Sequence, residues 1–313
     1  MAQLSDTTST DGEQPEPPLG GLIYWRSEAT GQVAVWDIEG ASLKESRYLP
    51  PVPDLNWTMV ASADLDGDGR KDLVWRNHAT GENAVWICSK TKLTRSSFLP
   101  PVDDPDWRII GASNRPAEGH SALYWYHVST GETAVWLLRG DNLDEAALLV
   151  QVPDLAWQPV AVADYDGDGI GDLFWRNVQT GENAIWLGGG DHVKKARQVP
   201  SVPDLRWYVA ATGDLDGDLR DDLVWRNAET GENAVWLMEG TGLRKASYLP
   251  PIPDLNWYLA GAGDFTADLH TDLLWRNDVT GENAVWKMVG TTRKGSAFLP
   301  LVPAPEWHTA FMP

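Results

Sequence analysis

Short stretches of alternating apolar and polar residues recur along the chain, separated by turn residues. In the unit from Trp57 to Leu99, WTMVASAD reads as a strand, DGDG as a turn and DLVWRN as a second strand. HATG ends in Gly81, which supplies the φ > 0 that a short hairpin loop needs. ENAVWICS alternates as a third strand, and SSFLP, after a charged loop, forms a fourth. The connector PVPDLN carries prolines that stop the ladder and start the next unit. No segment has the length or the 3.6-residue period of a helix.

The unit repeats every 50 residues, as the tryptophans show. Trp25, Trp75, Trp125, Trp175, Trp225 and Trp275 form one series; Trp36, Trp86, Trp136, Trp186, Trp236 and Trp286 a second; Trp57, Trp107, Trp157, Trp207, Trp257 and Trp307 a third. Together they account for all 18 Trp. Units of this length with four short strands predict an all-β fold, a propeller of four-stranded antiparallel blades. The ends favour a closed ring over an open solenoid. The repeats begin at GLIYWR, a second strand, and end at PAPEWHTAFMP, a first strand. The C-terminal strand is thus predicted to complete the N-terminal blade, giving six blades over residues 20–313. Residues 1–19 carry four acids, three prolines and no Lys or Arg, so they read as a disordered acidic tail without the basic and apolar regions of a secretory signal.

Charge narrows the partners. A formal net charge of -20 argues against nucleic acid or an anionic membrane surface and suits cation binding. No apolar run approaches the ~18 residues of a membrane span. Cys88 is the only cysteine, so no internal disulfide forms.

Three turns between first and second strands read D-x-D-G-D-x-x-x-D: Asp64, Asp66, Asp68, Asp72; Asp164, Asp166, Asp168, Asp172; and Asp214, Asp216, Asp218, Asp222. Four carboxylates within nine residues repel one another, and Ca²⁺, a hard cation taking six to eight oxygens, relieves that repulsion. The backbone carbonyls of Arg70, Ile170 and Arg220 are expected as further ligands. A fourth, weaker site keeps Asp264, Asp268 and Asp272 but has Thr266 at the second acidic position. Asn114, Pro116, Glu118 and Ala122 at the same places predict no calcium. The alternative for the intact loops is an Asx-turn network satisfied without metal.

The segments DLDGDGRKDL, DYDGDGIGDL and DLDGDLRDDL resemble FG-GAP/VCBS-type repeats. The resemblance spans residues 20–313 and is similar to the propellers of integrin α-subunits and of certain calcium-binding fungal lectins. It implies a calcium-stabilised propeller that binds ligands without catalysis, outside the cell or on its surface.

The face opposite the acidic turns is predicted to carry the TGEN hairpins and the PDLNW connectors. Four units repeat one polar set there: Arg76, Asn77, Glu82, Asn83; Arg176, Asn177, Glu182, Asn183; Arg226, Asn227, Glu232, Asn233; and Arg276, Asn277, Glu282, Asn283. Beside Trp57, Trp157, Trp207 and Trp257, such donors and acceptors suit a sugar, whose C–H face stacks on indole. The alternative is structural, with Arg pairing to Glu across the hairpin, Asn capping turns and most Trp filling the wedges between blades. No His/Cys metal cluster, nucleophile elbow or phosphate-cradling glycine loop occurs, and near-identical units argue against one asymmetric catalytic centre. The expected function is therefore non-enzymatic. One class is a multivalent lectin binding glycans; the other is a scaffold propeller binding a protein partner.

Overall fold

The computed structural model describes residues 21–115, 119–303 and 306–309; the segment expected to be a disordered tail lies outside them. Six four-stranded antiparallel sheets form the blades of a ring. Blade 2 shows the unit: Trp57–Ala63, Asp72–Asn77, Asn83–Ser89 and Lys92–Leu99, in that spatial order. Blades 3 to 6 follow, with first strands opening at Trp107, Trp157, Trp207 and Trp257. Blade 1 takes three strands from the start of the repeat array and one, Trp307–Thr309, from the end. Trp25 pairs with Thr309, Arg26 with His308 and Ser27 with Trp307, so the ring closes as the repeat phase predicts.

First strands of neighbouring blades touch one another and line the axis. Those of blades 2 to 6 each carry one register shift, between Met59 and Ala61 in blade 2. Such a bulge bends and twists a strand, which suits the crowded hub.

The wedges between blades are filled by indole. Trp75 lies opposite Ala84 and Trp86 opposite Leu73, which places both Trp on one face of blade 2 with ring centroids 4.9 Å apart. That face packs on Tyr24, Val33, Val35 and Leu49 of blade 1. The Trp25 series is almost fully buried in all six blades. At ~25 cal/mol/Å² and ~150–250 Å² per ring, each contributes roughly 4–6 kcal/mol of gross burial.

The hairpin glycine has two reasons to be there. Gly81 has φ 74°, and a Cβ at that position would stand 2.3 Å from the carbonyl oxygen of Val102 in the connector. The Val102 amide in turn donates to the Gly81 carbonyl at 2.9 Å, so the hairpin and the connector are laced together.

Blade 3 departs from the unit. Its first strand runs Trp107–Arg115 and its second His120–His127, with Asn114 paired to Ser121 where blades 2, 4, 5 and 6 have an acidic turn. Pro116 and Glu118 lie outside the described residues.

Candidate functional site

The acidic turns gather three carboxylates each. Oxygens of Asp64, Asp66 and Asp72, of Asp164, Asp166 and Asp172, and of Asp214, Asp216 and Asp218 lie within 4.8 Å of one another. The donors are all carboxylate oxygen, the type calcium prefers. In the third turn, Oδ1 of Asp216 is buried and has no hydrogen-bond partner among the described residues. Both observations fit a hard cation. Part of the negative charge is met by side chains: Lys194 contacts Asp168 at 2.6 Å, and Arg244 contacts Asp216 and Asp218. Gly67 and Asp68 amides donate to Oδ1 of Asp64, and the Gly69 amide to its Oδ2, so Asx-type bonds shape the turn. The Arg70, Ile170 and Arg220 amides donate to Asp68, Asp168 and Asp218.

The last aspartate of each turn has a separate duty. Asp72 is fully buried; its Oδ2 accepts from the Leu65 amide at 2.8 Å and its Oδ1 from the Cys88 amide in the third strand at 2.7 Å. Asp172, Asp222 and Asp272 make the same two bonds. Asp272 does so in the turn with the weaker acidic set, so the bonds do not depend on an intact loop. Burial pushes Asp72 up to about 7, Asp172 to about 8, Asp222 to about 7 and Asp272 to about 6, against the pull of their backbone donors. Neighbouring turns also interlock: the Asp221 amide donates to the Asp164 carbonyl at 2.7 Å, and the Asp164 amide to the Asp221 carboxylate at 2.9 Å.

On the opposite face the structure corrects one expectation. Arg76, Arg176, Arg226 and Arg276 do not face solvent; all are buried. Nη1 of Arg76 donates to Oδ1 of Asn83 at 3.0 Å and to the Gly81 carbonyl, and its Nη2 donates to the carbonyls of Val102 and Asp104. The guanidinium carbon sits 5.2 Å from the Trp125 ring of the next blade. Arg26, Arg176, Arg226 and Arg276 stack likewise on Trp75, Trp225, Trp275 and Trp25. In blade 3, Tyr126 takes the place of Arg and meets Trp175 edge-on at 6.0 Å.

Asn77, Asn177, Asn227 and Asn277 are buried and accept from hairpin amides, and Asn83, Asn183, Asn233 and Asn283 donate to the carbonyls of Pro100, Pro200, Pro250 and Pro300. These Arg and Asn are therefore mortar between hairpin, connector and next blade. Their Nη and amide groups find partners inside the protein, which replace water lost on burial, although Nε of Arg276 has none among the described residues. Glu82, Glu182, Glu232 and Glu282 lie nearer the surface and accept from the hydroxyls of Thr80, Thr180, Thr230 and Thr280 rather than from Arg.

What this side does present is aromatic. Trp57, Trp157, Trp207 and Trp257 are half-buried. Trp207 meets Tyr248 at a centroid distance of 6.1 Å; Trp57 meets Phe98 at 6.0 Å, Trp257 meets Phe298 at 6.5 Å and Trp307 meets Tyr48 at 6.3 Å. The outer rings were not legible as site residues. Their signal is the fixed place before Leu-Pro, opposite a small residue: Ala234 sits in register between Trp225 and Tyr248 and leaves a hollow between them. A cleft of about 210 Å³ results, lined by Val202, Trp207, Trp225, Ala234, Trp236, Ala246, Ser247 and Tyr248. Blade 3 has a cleft of about 250 Å³ with Leu148 in place of the outer ring. Blade 4 has Gln198 there. The indole N–H groups of the whole Trp25 series, Trp125 and Trp225 included, are buried and have no acceptor among the described residues.

Comparison with known proteins agrees with this geometry. Residues 56–88, around the first acidic turn, match the FG-GAP repeat model, and residues 164–225, spanning the next two, match the FG-GAP-like repeat model. No curated protein matches the chain in sequence. Among solved structures it is similar to a chain in the crystal structure of a nidogen/laminin complex, at 12% identity and a TM-score of 0.56, over 89% of this chain and 93% of that one. It is also similar to a functionally unknown protein from Desulfotomaculum acetoxidans, at 7% identity and a TM-score of 0.50, over 88% of this chain and 80% of that one. Likeness at such identities speaks to fold alone. By fold and repeat, the chain is a six-bladed β-propeller carrying FG-GAP repeats.

Proposed function

We propose that this propeller is a non-catalytic, calcium-stabilised carbohydrate-binding protein whose ligands lie in the aromatic clefts of its blades. The observation that carries the reading is the repeated pairing of a half-buried Trp with an exposed Tyr or Phe, which at Trp207 and Tyr248 flanks a cleft. A pyranose presents an apolar C–H face to such rings and hydroxyls to polar rim groups such as Ser247. Four such pairs lie on consecutive blades, 5, 6, 1 and 2, so weak single sites would add up on a branched glycan. Calcium at the acidic turns holds the opposite face and stabilises the ring without touching the sugar. This reading places the protein outside the cell or on its surface.

A glycan-array screen with calcium and again with EDTA tests it, using the wild type and Trp207→Ala/Tyr248→Ala. Binding to a coherent glycan set, weakened in the variant, is expected. A folded protein that binds no glycan in either condition overturns the reading.

A second reading, a protein partner, is favoured by the exposure of the same rings: Tyr48, Phe98, Tyr248 and Phe298 are each 70–72% exposed. Protein capture insensitive to competing sugars would support it.

A further inference from the structure

Among the described residues outside the acidic turns, one more set of metal-ligating groups comes together, on the hairpin and connector face of blade 3. Ligand atoms of Asp104, Asp106 and His127 lie within 4.8 Å of one another. His127 is buried, Asp106 half-buried and Asp104 exposed, so the cluster opens to solvent on one side.

The other blades provide an internal control. In blade 2 the equivalent carboxylate, Asp54, is met by two amide donors: Asn56 donates to its Oδ1 at 2.8 Å and Asn77 to its Oδ2 at 2.8 Å. In blade 6, Asn256 and Asn277 do the same for Asp254. In blade 5 the guanidinium of Arg206 and the amide of Asn227 serve Asp204. Blade 3 has exchanged both donors. A carboxylate, Asp106, which can only accept, stands where Asn56 or Arg206 donates, and an imidazole stands where Asn77 donates. Two carboxylates now share a space in which the blades described above pair one carboxylate with two side-chain donors; Asp104 keeps the Asp106 amide at 2.9 Å and the His127 imidazole as its donors. The Arg76 guanidinium sends its Nη2 to the main-chain carbonyl of Asp104.

The imidazole is held for ligation. Its Nε2 points at Asp104, 3.0 Å away, while Nδ1 lies 3.3 Å from the hydroxyl of Ser129 and the ring meets Trp107 edge-on at 5.0 Å. Without metal, Nε2–H donates to the Asp104 carboxylate; an ion would take the place of that proton and leave Nδ1–H to the Ser129 hydroxyl, an outer partner of the kind that orients metal-binding histidines.

We propose that Asp104, Asp106 and His127 bind a divalent transition-metal ion of the zinc type, with water completing the coordination. An imidazole nitrogen with two carboxylates suits Zn²⁺ or Co²⁺ better than Ca²⁺, which takes oxygen only. The site is distinct from the acidic turns, which are on the other face of the ring, and among the described residues it occurs in one blade.

The test titrates the full chain with Zn²⁺ calorimetrically, and with Co²⁺ by visible absorption, in calcium sufficient to saturate the turns. The comparison protein is Asp106→Asn/His127→Asn, which restores the pair that blades 2 and 6 carry and should therefore fold, as its melting temperature will report. Wild type is expected to take one equivalent more than the double variant, and His127→Asn alone to weaken binding at least tenfold. Equal stoichiometry in wild type and a folded double variant overturns the proposal, because His127 then only hydrogen-bonds Asp104 as an asparagine would.

Discussion

The guanidinium carbon of Arg276 sits 5.0 Å from the centre of the Trp25 ring, across the seam between blade 6 and blade 1. Its Nη1 donates to Asn283 at 3.1 Å and to the Gly281 carbonyl, and its Nη2 to the Val302 carbonyl at 3.3 Å. One side chain therefore ties a hairpin, the connector into the closing strand, and the first blade. Truncation takes the Arg donor from Oδ1 of Asn283 and from the Val302 carbonyl and leaves a cavity beside the indole, while the Gly281 carbonyl keeps the Val302 amide. Arg276→Ala is expected to cost about 2–4 kcal/mol, and Arg276→Lys less, since an ammonium keeps the charge over the ring but not the planar fork. Chemical denaturation of both variants measures this; an Arg276→Ala midpoint equal to wild type would show that the seam is held elsewhere.

Gly81 should tolerate no side chain. Alanine there would combine positive φ with a Cβ at 2.3 Å from the Val102 carbonyl oxygen, and the connector would have to move. Gly81→Ala is expected to lose about 3 kcal/mol. Gly67→Ala, also at positive φ but with nothing within 4 Å, should lose less. The two melting temperatures separate crowding from backbone strain, and a larger loss at Gly67 would contradict this assignment.

Much of this was legible because the repeat has no insertions. Each Trp series keeps one place in its blade, so spacing alone gave the blade number and the closing strand. The acidic turns were legible because their ligands are local in sequence. The burial of Arg76 was not. Whether its guanidinium faces out or in depends on Trp125, a residue of the next blade, and on carbonyls of the connector beyond the hairpin. Nor does the sequence of blade 3 announce that Asn114 and Ser121 extend the ladder in place of the acidic turn. Tyr248 and Phe298 are not legible as site residues because an aromatic residue in an outer strand reads as core until register places it opposite alanine.

The buried aspartates set a pH dependence. Folding raises Asp72 and Asp222 to about 7 and Asp172 to about 8, from an ordinary value of 3.8. Between those limits the folded chain binds more protons than the unfolded chain, so metal-free stability falls as pH rises from about 4 to about 8. Asp54 and Asp104 shift the other way, held down first by the amides of Asn56 and Asp106, and they act below pH 4. Calorimetry in EDTA should therefore give a higher melting temperature at pH 5 than at pH 8. Added calcium should narrow or reverse the difference, because it competes with those protons. A melting temperature in EDTA that climbs from pH 5 to pH 8 would refute the assignment.

Asp66 and Asp272 separate the two duties of the acidic turns. Asp66 belongs to a three-carboxylate cluster, whereas Asp272 belongs to a turn in which no such cluster gathers among the described residues. Asp272 accepts from the amides of Phe265 and Met288 and from the Thr266 hydroxyl, joining first, second and third strands. An asparagine there would turn its NH₂ against a backbone N–H, leaving a buried donor unpaired, at about 1–3 kcal/mol. Asp272→Asn is therefore expected to lower the melting temperature by the same amount with calcium or with EDTA. Asp66→Asn should change little in EDTA but remove part of the rise that calcium produces, because mutual repulsion among the carboxylates falls as a ligand is lost. If instead Asp66→Asn lowers both melting temperatures equally, the turns are Asx networks satisfied without metal. If Asp272→Asn matters only with calcium, the fourth turn is a metal site after all, and its buried carboxylate is a ligand first and a staple second.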